Sequence, residues 1–419
     1  MAASVTPPRG MRDFLPAEKA RREHALGVIR RVYAGHGFDE IETPVMEDAS
    51  RLHAGLGGDN EKLAFAVMKR GLTDADLAAA AETGDALSLA DLGLRYDLTV
   101  PLARFYATHQ AALPPVFRAI QIAPVWRAER PQKGRYRQFV QCDIDIIGEA
   151  GQLAELELLT ATSAALDELG LGGCTIRIND RRILAGILGS WGVPEEQRER
   201  ALITIDKLDK IGPSGVAVEL RELGITTADV ADELQALAGA SWDLLDAGDP
   251  PTWLDADAYR DLLALRGALA GTPIEFDPTL VRGMGYYTGT IFEIAHPDFG
   301  YSLGGGGRYD HMIGRFLGRD VPACGFSIGF ERIVDLLDRA DDERARAVVL
   351  VHDADVPVQR LVALKRELVA SGTRVRLERR VKNMRALLDR ATADGFDAFA
   401  AVTAETADAA SLSFRDLTP

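Results

Sequence analysis

The apolar positions of this chain switch repeatedly between helical and alternating spacing. Leu26, Ile29 and the pair Val32-Tyr33 recur at helical intervals, which predicts a helix opened by Pro16 and stopped by Gly35 and Gly37. Phe38 to Met46 (FDEIETPVM) then predicts a strand. Pro44 within it cannot donate to a ladder, so that strand belongs at a sheet edge or a subunit boundary. The alanine-rich, acid-dotted stretch within Asp59 to Gly93 predicts a short surface helix with turns. Leu94 to Phe105 (LRYDLTVPLARF) is read as extended, which puts Asp97 and Thr99 on one face. A carboxylate and a hydroxyl pointing together suit an ammonium group; a turn or a cap is the plainer use of the pair.

The next stretch organises the rest. Val116, Phe117, Ile120, Ile122, Val125 and Trp126 lead into Arg127 and a polar loop with a turn at Lys133-Gly134. Beyond it, Phe139, Ile144 and Ile146 separate Gln141, Asp143 and Asp145. This predicts two antiparallel strands joined by a basic loop. Arg127, Arg130, Lys133, Arg135 and Arg137 face the single acid Glu129 there. Such cations need anions, and phosphate fits because a guanidinium fork matches its oxygens bidentately. Solvated surface charge is the alternative.

Farther along, Leu153 to Leu169 predicts an amphipathic helix, and Thr175 to Asn179 a strand. Residues 182–271 have the Leu/Ala/Glu/Arg texture of helices broken by Gly and Pro. Sheet character returns at Phe276 to Ala295, where Arg282 is followed by glycines 283, 285 and 289, which permit a ligand to approach the backbone. In YSLGGGGRYD, Tyr301 to Asp310, four glycines cannot stabilise a strand interior by themselves, so a turn is favoured over space opened for a ligand. They lack the GxxxxGK[ST] order of a P-loop. Ala323 to Leu337 predicts a strand running into a helix whose first turn carries Arg332, where an anionic ligand would offset the unfavourable dipole. The acidic tract Asp335 to Glu343 reads as a linker. Val348 to Leu417 alternates strands (VVLVH, TRVRLE, FAAV, SLSF) with helical stretches, the βαβ pattern of a separate small domain.

Composition narrows the class. At 419 residues the chain suits two or three domains, and 47% hydrophobic with 26% charged residues is that of an ordinary folded protein. No apolar run spans a bilayer and the N-terminus has no apolar signal core, so no membrane association and a cytoplasmic location are expected. Cys142, Cys174 and Cys324 show no CxxC spacing, which argues against a disulfide framework or a zinc knuckle and for buried thiols. A net charge of -15 argues against nonspecific nucleic-acid binding by the whole protein. Locally, Arg374, Arg376, Arg379, Arg380, Lys382, Arg385 and Arg390 oppose only Glu378 and Asp389. Any RNA contact is therefore expected there or in the hairpin loop.

The hairpin resembles the second signature motif of class II aminoacyl-tRNA synthetases, and ERPQKGRYRQF followed by Gln141 and two acids resembles the histidyl-tRNA synthetase family. The likeness runs from about Pro8 to Leu337 and continues more loosely beyond; neither a HIGH nor a KMSKS string of the other class appears. It implies an α/β (α+β) fold, with a class II antiparallel sheet flanked by helices, a helical insertion and a small C-terminal α/β anticodon-binding domain. The implied boundaries are 1-181 and 272-343 for the catalytic domain, 182-271 for the insertion, and 344-419 for the anticodon-binding part. The implied activity is histidine--tRNA ligation through histidyl-adenylate, with ATP and Mg²⁺, histidine and histidine tRNA as partners, in a homodimer.

The same resemblance assigns roles. Arg282 and Arg127 become catalytic; Asp97, Leu98, Thr99, Arg127, Gln141, Asp145, Arg282, Tyr286 and Tyr287 bind the amino acid; Arg127, Glu129 and Arg332 bind ATP. No protein-held metal is implied. Two departures stand out: Gly285 where the family usually has an acid, and an end at Pro419 where relatives usually continue with a strand and a helix, so that anticodon binding is expected to be weaker or differently built. The rival reading is a non-catalytic paralogue, the regulatory subunit of ATP phosphoribosyltransferase, and behind it a histidine-sensing RNA-binding regulator without turnover.

Overall fold

The computed structural model describes residues 5–53, 63–131, 135–239, 242, 251–269, 271–282, 285–337 and 346–417. The expected turn at Lys133-Gly134, Gly283 and most of the acidic tract lie outside these residues. Contacts divide the chain into two compact units, Met1–Asp13 with Ala25–Leu337, and Phe14–His24 with Asp338–Pro419.

The first unit is built on an eight-stranded sheet. The helix Pro16–Gly35 buries Ala25, Ile29 and Tyr33 in its core, as the helical stripe requires. The strand expected from Phe38 to Met46 is instead two short ones, β1 (Asp39–Glu40) and β2 (Met46–Asp48), in different sheets. The proline explains the break. Around Pro44, ladder bonds give way to the Arg95 guanidinium, whose Nη1 donates to the Thr43 and Pro44 carbonyls at 2.8 and 3.3 Å. The alanine-rich stretch does hold a surface helix, Asp74–Thr83, closed by a Thr73/Asp76 capping box. It is flanked by strands the alternation did not reveal, β3 (Phe65–Met68) and β4 (Ala90–Leu94), which form a three-stranded sheet in the order β2-β4-β3.

The Asp97 to Thr99 expectation is corrected. Thr99 begins a helix, Thr99–His109, and the Asp97 Oδ1 accepts the Val100 N–H at 3.1 Å. Pro101 sits in the first turn, where its missing N–H costs no helical bond. The pair still faces one place, brought there by a helix start and not by strand alternation.

The hairpin forms as expected from β5 (Phe117–Trp126) and β6 (Gln138–Ile147), paired antiparallel over ten residues each. β7 (Thr175–Asp180), β8 (Ile274–Phe276), β9 (Thr290–His296), β10 (Phe299–Arg308) and β11 (Ala323–Ile328) complete the sheet. Its order is β1-β5-β6-β11-β10-β9-β7-β8, antiparallel from β5 through β7 with parallel pairs at each end. The glycine run, read from sequence as a turn, is part of β10. Gly304 to Gly307 are laddered on both sides, to β9 and to β11, so main-chain bonds supply what side chains do not. Residues 182–271 are helical where described; helices such as Arg181–Ser190 and Ala256–Ala268 send Ile183, Leu184, Leu262 and Leu265 into the same core as the sheet.

The second unit carries β12 (Ala347–His352), β13 (Arg374–Arg379), β14 (Ala398–Val402) and β15 (Phe414–Asp416), ordered β13-β12-β14-β15. β12 is parallel to both neighbours and β15 antiparallel to β14, the βαβ pattern expected, with the last strand a little later than SLSF. Val348 and Leu350 face one apolar cluster and Val349 and Val351 the other. Helices Val358–Ala370 and Met384–Ala393 contribute to these clusters.

Candidate active site

One face of the large sheet is polar where a core would be apolar. The cross-strand register lines up Gln121 on β5, Asp143 on β6, Ser327 on β11, Gly305 on β10, Glu293 on β9 and Arg177 on β7 as successive partners across six strands. Along β6, Gln141 and Asp145 share that face with Asp143, since strand side chains alternate. Over this face lies a cavity of about 540 Å³.

Its lining gathers most of the residues singled out from sequence: Asp97, Thr99, Arg127, Glu129, Gln141, Asp145, Arg282, Tyr286, Tyr287 and Arg332. Leu98 is fully buried and does not line it. Further lining residues carry chemistry to which the sequence reading assigns no role, among them Asp143, Asp206, Glu293, Ser302, Tyr309, Ser327 and Glu331. Asp143 had a signal, because it falls between Gln141 and Asp145 at the same two-residue period.

Four guanidinium groups, of Arg127, Arg135, Arg282 and Arg332, line the cavity. Arg127 Nε donates to the Tyr96 carbonyl at 3.0 Å, and its guanidinium stands 5.0 Å from the Phe139 ring centroid. Arg282 leaves its loop to donate to Glu293 Oε2 at 2.8 Å, while Arg177 donates to Glu293 Oε1 at 3.3 Å. Glycine at 305 makes that placement possible, since a Cβ there would fall 2.6 Å from Arg282 Cζ. Arg332 donates to the Ser302 carbonyl and packs 5.2 Å from the Tyr301 ring centroid. Burial, followed by the like charges of Arg135 and Arg282, lowers the Arg332 pKa. An anion placed among these groups would relieve that repulsion.

The remaining charge is of opposite sign. Asp97, Asp143 and Asp145 are all buried. Desolvation raises Asp97 to about 6, despite the helix-start hydrogen bond and the nearby Arg127. It raises Asp145 to about 7, against the Tyr309 hydroxyl that donates to its Oδ1 at 2.6 Å. Asp143 is held well above the usual carboxylate range by burial and then by Asp145. Gly325 makes room for Asp145, because a Cβ there would overlap a carboxylate oxygen. Two acceptors, Asp97 Oδ2 and Gln141 Oε1, are buried without a hydrogen-bond partner. Orphaned acceptors beside raised carboxyls suit a donor-only cation. The cavity thus pairs an anion-seeking set of groups with a cation-seeking one.

Among the described residues no group of three or more His, Cys, Asp or Glu is arranged to hold a metal ion. Outside the sheet, Arg12 pairs with Glu331, stacks on Tyr136 at 3.5 Å, and so links the N-terminal segment to the hairpin. Glu331 also accepts the Val140 N–H at 3.1 Å.

Comparison with known proteins agrees on one family. A family model described as histidyl-tRNA synthetase matches residues 10–333. A histidine--tRNA ligase from Leifsonia xyli subsp. xyli is 63% identical, with 100% of each chain covered. A probable histidine--tRNA ligase from Tropheryma whipplei is 43% identical over 94% of this chain and 95% of its own. Among solved structures, a histidyl-tRNA synthetase from Nostoc sp. PCC 7120 superposes with a TM-score of 0.76 at 26% identity, covering 99% of this chain and 95% of that one. A Bacillus halodurans protein described as an ATP phosphoribosyltransferase regulatory subunit/histidyl-tRNA synthetase gives 0.76 at 22% identity over 97% and 100%, a likeness of fold alone.

Proposed function

The chain belongs to the histidyl-tRNA synthetase family, and from that premise we propose that it is a histidine--tRNA ligase. It would join histidine to ATP as histidyl-adenylate and then pass the histidyl group to the 3′ end of histidine tRNA. The observation that carries this reading is the pairing, in one cavity, of four arginines with three buried aspartates and two unpartnered acceptors. A triphosphate and an amino acid bearing both an ammonium group and an imidazole call for both kinds of group.

The carboxylate of histidine is ionised at neutral pH, so attack on the α-phosphorus needs no general base. Catalysis is then positioning and charge stabilisation. Arg127 would grip the attacking carboxylate and the α-phosphate. Arg332 would take the distal phosphates or the adenine face, with Glu129 at the same end. Mg²⁺ would arrive with ATP and offset part of the charge of its phosphates. Arg282, seated over Gly305 and aligned by Glu293, would stabilise charge building on the α-phosphate. Asp97, Thr99 and Gln141 would hold the α-ammonium group. Asp145 and Tyr287, beside Tyr286, would meet the two imidazole nitrogens, which is how a site rejects apolar amino acids of similar size.

Residues 1-181 and 272-343 would form the catalytic domain and 182-271 a lid toward the tRNA acceptor stem. Residues 344-419 would read the anticodon, supported by the exposed Arg379, Lys382 and Arg385. A homodimer is supported by the half-exposed Val45 and Met46 beside the broken edge strand. Work on tRNA would place the protein in the cytoplasm. The regulatory paralogue is disfavoured by the catalytic arginine and the C-terminal α/β unit, both present here.

The test is exchange of labelled pyrophosphate into ATP, driven by each amino acid in turn. Histidine alone is expected to drive it, and Arg282→Ala to lose about 10²- to 10³-fold while keeping its melting temperature. Exchange driven by a different amino acid, or a near-normal Arg282→Ala, would overturn the assignment.

A further inference from the structure

Gln141 presents a problem that its own side chain cannot solve. A carboxamide offers two N–H donors at one end and an acceptor at the other. Turned the wrong way, it would aim N–H groups at an ammonium ion and repel it. Here Gln141 Nε2 lies 3.1 and 3.3 Å from the two oxygens of Asp143, and 3.3 Å from Ser327 Oγ. Its Oε1 is the buried acceptor without a partner. The neighbouring amide of Gln121 is committed elsewhere, to the Leu98 carbonyl and the Thr43 hydroxyl.

We infer that Asp143, with Ser327, is a positioning residue that fixes the Gln141 amide so that its oxygen is the end offered to the ligand's α-ammonium group. Gln141 Nε2 faces both Asp143 oxygens, and the ammonium group of a bound ligand favours the ionised, acceptor-only form of this buried carboxyl, to which only the nitrogen end of the amide bonds. Asp143 is held for this task by the sheet register, which pairs it with Ser327 on β11 and Gln121 on β5. The charged and titratable groups around it are Asp145 on its own strand and Asp97 from the helix start. Burial first, and then these two carboxyls, raise its pKa, while the Ser327 and Gln141 donors oppose that rise. The inference rests on the proposed amino-acid site but goes beyond it. Asp143 acts through Gln141, and the discrimination it confers concerns the ammonium group alone.

Two probes separate this from a structural role. Histidinol keeps the ammonium and imidazole groups and lacks the carboxylate; imidazolepropionate keeps the imidazole and carboxylate and lacks the ammonium. Their dissociation constants would be measured by calorimetry on the full chain and on three variants. Asp143→Leu is expected to weaken histidinol by about ten- to a hundred-fold and imidazolepropionate by less than about twofold. Asp143→Asn offers the amide a donor as well as an acceptor, so it no longer fixes the orientation and is expected to weaken histidinol by about tenfold, while Ser327→Ala, which removes no charge, is expected to lose about threefold. Equal weakening of both probes in Asp143→Leu would overturn the inference in favour of general damage. Histidinol loss in both Asp143 variants with none in Ser327→Ala would overturn it in favour of charge alone. Should Asp143→Leu fail to fold, unchanged probe selectivity in Ser327→Ala would overturn it. Binding is read without turnover, so this probe pattern in a chain that shows no histidine-driven pyrophosphate exchange would refute the ligase reading and leave the inference standing.

Discussion

β10 and β12 are both interior strands, each hydrogen-bonded on both sides, yet they are stabilised in opposite ways. β12 reads AVVLVH and fills an apolar cluster on each face, the pattern of a strand whose task is cohesion. β10 reads FGYSLGGGGR, and through its glycines it contributes only main chain. The space a side chain would occupy is taken by Arg282 and, one strand away at Gly325, by Asp145. Interior position alone therefore does not say what a strand is for. In the first sheet some cohesion has been given up so that charged groups can stand where a core would be.

The comparison can be broken most severely at Gly305. Alanine there would push against the Arg282 guanidinium and the Phe292 carbonyl, each 2.6 Å from the new Cβ. The expected loss of histidine-driven exchange is about 10²- to 10³-fold, like that of deleting the arginine. A variant with full activity would show that the close approach does not position Arg282. The converse lies at Leu350, fully buried on β12, where alanine should lower stability by about 2–5 kcal/mol in a denaturant titration that follows the second unit. Adenylate formation should be spared, since the described residues that line the cavity belong to the first unit. Loss of exchange with stability intact would break the contrast.

A smaller effect sharpens it. Because burial raises Asp97 to about 6, above its unfolded value, folding favours its protonated form. Its presence is therefore costless below about pH 4, and it lowers stability progressively as pH rises through about 6. Asp97→Asn should stabilise the ligand-free chain at pH 8 by at most about 3 kcal/mol and make no difference near pH 4. Thermal melts at the two pH values would decide; equal shifts at both, or destabilisation at pH 8, would remove the claim that the acidic floor is bought with stability.

Legibility from sequence followed the range of the interactions involved. The hairpin could be read because alternation is local, and so could the helical texture of 182–271 and the βαβ order of the C-terminal unit. The Phe38 to Met46 strand was misjudged because its break depends on Arg95, some fifty residues later, taking over the carbonyls around Pro44. Asp97 and Thr99 were grouped correctly on a mistaken premise, since a helix start and an extended segment both bring residues two apart into proximity. The glycine run was misread because its support lies in β9 and β11, which no local window contains. Glu293 is hidden partly for the same reason: Arg177 lies 116 residues away, and Arg282, only 11 residues before it, meets it through the course of the intervening loop and not through strand alternation. Asp143 was within reach of the alternation argument, and what hid it was the absence of an assigned role.

The bare main chain of β10 also bears on inhibition. A compound stacked on the Arg282 guanidinium where it lies over Gly305 would rest on a group that this glycine seats, and a codon change at Gly305 would have to introduce a side chain into space already held by Arg282. Escape by point mutation at that spot would carry its own penalty in translation, so chemical matter anchored there would be harder for a population to outgrow than matter anchored on the rim.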